Sequence, residues 1–200
     1  MTRLFAIAPL ALIAACSDVE EHDHIDEQEV ITTVNLTFTN LNDGSEALYT
    51  WADPENDGDP TIDDISLVEG EAYSLSVAFF NALEEPAEEI TGEVFDEGYE
   101  HQLFFTGSAV VGPATGENAD AIVEHSYADE DENGLPVGLE NSITAIAFGA
   151  GELTVTLRHL PEESGAAVKV EGLADDVAEG GFGAIGGEND VQVSFYIEVE

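Results

Sequence analysis

Apolar and polar positions alternate with a period of two along four long stretches of this chain. In Val34-Asn35-Leu36-Thr37-Phe38-Thr39 the apolar side chains fall on one face and the polar ones on the other, as a strand half-buried against a core requires. Tyr73, Leu75, Val77 and Phe79 repeat the pattern, as do Leu153, Val155 and Leu157, and then Val191, Val193, Phe195, Ile197 and Val199. Shorter candidates are Ala47 to Trp51, Gln102 to Phe105, Ala121 to Tyr127 and Ile143 to Phe148. Turn formers separate them: Asn42-Asp43-Gly44, Asn56-Asp57-Gly58-Asp59-Pro60 and Glu132-Asn133-Gly134 supply the positive φ of tight turns. The pattern predicts roughly eight strands closing into a mainly β fold, an antiparallel β-sandwich of Ig-like or related Greek-key type. One short helix is expected over Ala87 to Asp96, where Ile90 and Val94 are four apart and Pro86 suits a first turn, although Gly92 weakens it. Gly180 to Gly187 reads as a flexible loop before the last strand. No lysine or strand-loop-helix context accompanies it, which argues against a phosphate cradle.

Two segments precede the alternating pattern. Leu4 to Ala15 is an apolar run too short to span a bilayer, led by Met1-Thr2-Arg3 and closed by Ile13-Ala14-Ala15-Cys16. A positive start, an apolar core and small residues before a cysteine spell a lipoprotein signal peptide. The expected organisation is therefore a signal peptide over 1–15, an acidic tether over 16–28 and a single domain over 29–200. Cys16 is the only cysteine, so its thiol is a site for lipid rather than for a disulfide.

Charge narrows the partners. Three basic residues, Arg3, Arg158 and Lys169, stand against 44 acids, a formal net charge of −41. Nothing can neutralise phosphates, so nucleic acid is excluded as a partner. Anionic lipid repels the chain as well, so the acyl chains on Cys16 must supply the hold on the membrane. Self-repulsion at this density predicts a domain stabilised by salt.

The strongest chemical pattern is Asp129-Glu130-Asp131-Glu132-Asn133-Gly134, followed by five residues and Glu140. It fits the calcium-loop formula, in which oxygens of Asp129, Asp131, Asn133 and Glu140 would surround calcium or another divalent cation. Strands rather than helices flank it, Pro136 and Gly138 fall inside it, and Asn133-Gly134 is also a hairpin signal; both readings stand. An echo runs through Asp53, Glu55, Asp57 and Gly58, with Asp64 in the twelfth position. His22 and His24 in the tether could hold a divalent metal through two imidazoles. His101 and His159 converge only if their strands are neighbours. G-x-S-x-G, H-E-x-x-H, C-x-x-C and P-loop motifs are all missing, so an enzyme is not expected.

Five runs carry a resemblance: Glu29 to Thr39, Asn81 to Thr91, Glu100-His101-Gln102, Asn133 to Gly138 and Leu157 to Pro161. In this order they resemble a lipoprotein family of Bacteroidetes-type bacteria, often labelled "type 1 periplasmic binding fold superfamily protein", over nearly the whole mature chain. The resemblance implies an outer-membrane lipoprotein and no particular activity. Ser17-Asp18-Val19-Glu20-Glu21 is similar to acidic surface-export signals, with Val19 interrupting the pattern, so the periplasmic face and the cell surface both stand. The expectation is a lipid-anchored, non-catalytic binding or accessory module, cation-binding and linked to nutrient or metal uptake through an outer-membrane receptor. The competing class is a structural or adhesive surface protein with calcium-stabilised loops.

Overall fold

The computed structural model describes residues 29–162, 165 and 168–200. The expected signal peptide over 1–15 and the expected tether over 16–28, with Cys16, His22 and His24, lie outside the described residues. All eight candidate stretches hold strands, β1 (Thr33–Asn40), β2 (Glu46–Ala52), β5 (Ala72–Asn81), β7 (His101–Thr106), β9 (Val123–Tyr127), β10 (Glu140–Ala145), β11 (Gly149–His159) and β12 (Glu188–Val199), although Ala121-Ile122 and Ile146 to Phe148 fall outside β9 and β10. Four strands of two or three residues join them: β3 (Thr61–Ile62), β4 (Ile65–Leu67), β6 (Glu88–Glu89) and β8 (Val110–Val111). Segments this short show no period, so only their partners reveal them.

The larger sheet runs β3-β2-β1-β5-β10-β9-β8, with β6 added beside β5, and the smaller runs β4-β12-β11-β7. The wholly antiparallel expectation needs correction at two places: β8 pairs parallel with β9, and β4 parallel with β12. Both are brief edge segments arriving by long connections, where no hairpin turn dictates direction.

Register explains the core. Leu36 lies opposite Tyr49 on β2 and Val77 on β5, and Phe38 opposite Ala47 and Leu75. Across the smaller sheet, Val155 lies opposite Val193 and Phe105, and Leu157 opposite Val191 and Leu103. Alternation turns these residues to one face of each sheet, and a single hydrophobic cluster draws on both faces. Phe38, Phe79, Phe105 and Phe195 are fully buried in it, each stabilising the fold by about 1.5–3 kcal/mol through removal from water.

Helices depart from expectation. The predicted Ala87–Asp96 helix shortens to α1 (Thr91–Asp96), because Glu88 and Glu89 pair with β5 instead. Thr91 Oγ1 accepts the Phe79 N–H at 2.9 Å, tying the start of α1 to β5. One helix was expected; a second, α2 (Leu173–Gly180), covers the outer face of the smaller sheet. Its buried Leu173 and Val177 are one turn apart and join Phe104, Ala114 and Leu160 in a separate cluster. Two apolar residues amid Asp175, Asp176 and Gly180 carry too little period to announce a helix.

The glycine run after α2 is a built corner rather than a loose loop. Phe182–Ala184 form a 3-10 turn, and Phe182 packs edge-on against Phe104. Gly187, at φ 76°, passes so close to β11 that a Cβ would collide with the His159 carbonyl. Among the described residues, no helix is long and apolar enough to cross a membrane.

Candidate functional site

The segment matching the calcium formula is folded onto its own backbone. Asp129 Oδ1 accepts the Gly138 N–H at 2.7 Å, and Oδ2 accepts those of Leu139 and Glu140 at 2.8 and 3.0 Å. One carboxylate thus binds the three amides that lead into β10. Asp131 Oδ1 accepts the Asn133 and Leu135 N–H groups at 2.8 and 3.0 Å, while Gly134, at φ 77°, closes the turn. The remaining oxygen of Asp131 meets a cation from far along the chain: Lys169 Nζ lies 2.8 Å from Oδ2, and both side chains are almost wholly buried.

Lys169 also donates to the Gly98 carbonyl at 2.6 Å, joining the 129–140 turn to the end of α1. Burial lowers the Lys169 pKa, with Asp131 opposing that loss. Burial would raise the Asp131 carboxyl, but Lys169 and the Leu135 and Asn133 amides hold it below the ordinary carboxylate range. Both directions fit an ion pair inside the protein, so an ammonium occupies the carboxylate that the formula offered to calcium. Asn133 and Glu140 sit exposed at the rim.

The 53–64 segment follows the same logic. Buried Asp53 accepts the N–H groups of Asp57 and Gly58 at 3.1 and 2.8 Å, and Asp57 accepts that of Asp59 at 3.1 Å. Glu55, Asp57 and Asp64 are exposed. Among the described residues, no group of three or more His, Cys, Asp or Glu side chains is placed to hold one metal ion.

Pairing of β7 with β11 brings His101 opposite His159, and their rings stack at 4.7 Å between centroids, 12° from parallel. A β-bulge supplies the third member. Leu157 faces Val191 and Arg158 faces Asn189, which leaves Asp190 as the extra residue. Bulges re-aim a side chain at such points, and here the Asp190 carboxylate is 0 % exposed, 3.5 Å from His101 Nε2. His159 Nε2 lies 4.0 Å from Glu100 Oε1. Asp190 could not be singled out among so many acids, since only the bulge turns it inward.

The third histidine of the domain, His125, is a packed structural residue. Its Nε2 lies 2.9 Å from Asn141 Oδ1, its ring sits 4.3 Å from Phe105, and burial pushes its pKa down to about 4.

Beside the 129–140 turn opens a cleft of about 330 Å³ between that turn and the end of α1, with Phe95, Asp96, Tyr99, Glu130 and Glu132 in its walls and Val137 beneath. Phe95 is 63 % and Tyr99 42 % exposed, unusual for rings so close to a buried ion pair. No period marks these residues, because α1 contributes one side and a distant turn the other. Compared with models of protein families, with curated proteins and with solved structures, the chain matches none.

Proposed function

We propose that this chain is a lipid-anchored, non-catalytic binding module at the outer membrane, whose ligand is a cation received in the cleft between α1 and the 129–140 turn. The observation that carries this reading is the meeting of two exposed rings, Phe95 and Tyr99, with Asp96, Glu130 and Glu132 around one cleft. An aromatic face attracts a cation by about 0.5–2 kcal/mol, and carboxylates on low-dielectric walls concentrate positive ions. The buried Lys169, paired with Asp131 of the cleft wall, secures the turn without an added metal. In this reading acyl chains on Cys16 provide the anchor, and an outer-membrane receptor takes delivery of the cation. The finer architecture proposed is an Ig-like or related Greek-key sandwich, supported by two sheets sharing one core.

Calorimetry with tetramethylammonium, calcium, zinc and copper tests the ligand class. Binding of tetramethylammonium that weakens at least fivefold in Phe95→Ala and in Glu130→Gln/Glu132→Gln supports the cleft; no binding of any of the four cations overturns it. Membrane fractionation of Cys16→Ser tests the anchor, with release of a folded domain expected. A second reading, a structural or adhesive surface protein, draws on the acids that staple their own turns at Asp53 and Asp129. Millimolar calcium that raises the melting temperature without any dependence on Phe95 favours that role.

A further inference from the structure

His101 stands between two hydrogen-bond acceptors. Its Nδ1 lies 3.2 Å from the Glu97 carbonyl, the C-cap of α1, and its Nε2 lies 3.5 Å from the Asp190 carboxylate on the β12 bulge. Neither acceptor can give a proton while the carboxylate is ionised. A neutral imidazole has one N–H and one lone pair, so it satisfies one acceptor and turns a lone pair on the other. Only the imidazolium donates to both. Among the described residues neither Asp190 oxygen nor His101 Nε2 has a hydrogen-bond partner, so their 3.5 Å approach is the contact each has to gain from, and a buried carboxylate without a counter-charge is costly.

We propose that His101 is a proton-operated latch that, when doubly protonated, clamps the end of α1 to the bulged start of β12, and releases that bond as pH rises. The latch is built from three elements: α1 through Glu97, β7 through His101 and β12 through Asp190. It does not rest on the cleft accepting a ligand. Charged and titratable groups face it from every side. Glu29 precedes β1, Glu93 lies on α1, Glu97 caps it, and Glu100 precedes β7. His159 stacks from β11, and Arg158 of the same strand acts on Asp190.

Electrostatics agree with the geometry. Burial works against the charged ring, but the hydrogen bond and charge of Asp190, with the Glu97 carbonyl, outweigh it and raise the His101 pKa. Glu29 is raised by burial and by its acid neighbours, with His101 pulling the other way. A raised histidine pKa makes the folded state the better proton binder. The latch is therefore fully closed below the ordinary histidine value near 6.5 and opens as pH rises through the raised one.

Two measurements on the full chain in detergent test this. Imidazole nitrogen NMR should find His101 doubly protonated at pH 6.5, and a neutral ring there overturns the proposal. Hydrogen exchange, corrected for its intrinsic pH dependence, should show amides at the start of β12 losing protection as pH rises from 6 to 9, in the direction the raised His101 pKa requires. Asp190→Asn keeps the shape but removes the buried charge, so it should lower the His101 pKa and flatten that dependence. A wild-type profile that is flat, or an Asp190→Asn profile unchanged from it, overturns the latch.

Discussion

Lys169 and His125 show how one residue controls this domain through burial. Lys169 is the only lysine, and its ammonium neutralises the one oxygen of Asp131 that no amide reaches. Lys169→Met should destabilise the domain by about 3–5 kcal/mol, because it strands a buried charge. Urea denaturation measures this, and Asp131→Asn added to Lys169→Met should restore part of the loss. His125 acts by remaining neutral. With its pKa depressed to about 4, the folded state binds fewer protons than the unfolded chain. Its contribution is present above pH 6.5 and is lost as pH falls toward 4, by up to about 3 kcal/mol. Denaturation midpoints across that range should fall in the wild type and less in His125→Gln. His101 works in the opposite sense, so the two together favour a stability maximum between them.

Turns and strand junctions decide the local geometry at the scale of elements. Asp129 binds three consecutive amides at the entry to β10, two of them, those of Gly138 and Leu139, on buried residues. Asp129→Ala should cost about 2 kcal/mol or more, whereas Asp129→Asn, which keeps one acceptor, should cost less; thermal melts in calcium-free buffer compare them. The long alternating strands were legible because a period of two survives over many residues. The short strands β3, β4, β6 and β8 were not, since two or three residues have no period, and β4 finds its partner β12 far along the chain. Leu173 and Val177 of α2 illustrate the same limit: their apolar stripe is two residues wide, and only Phe104 and Leu160 beneath it show what it covers.

Across the whole molecule, like charge is the dominant stress. A formal charge of −41 acts over ~10 Å at 0.1 M salt and only ~3 Å at 1 M. Raising sodium chloride from 0.05 to 1 M should therefore increase the urea midpoint steadily. Calcium chloride at matched ionic strength should do no more if screening is the whole effect, and an excess would reveal occupied acidic loops. Stability that is the same at both salt concentrations would contradict the repulsion argument.

The amino-acid order alone determined the half-buried strands, the turns between them, the acidity, and the expectations of no nucleic-acid partner and of lipid at Cys16. Each of these depends on neighbours in sequence or on totals, which a linear reading contains. Tertiary structure decided the uses of the acids. Asp129 and Asp131 match a cation-binding formula by spacing, yet their oxygens meet backbone amides and Lys169. His101 and His159 meet because β7 lies beside β11, and Asp190 joins them because one extra residue bulges β12. Spacing names the candidate donors, but hydrogen bonds and ion pairs form over a few ångströms in space, so only the folded chain determines which partner each donor finds.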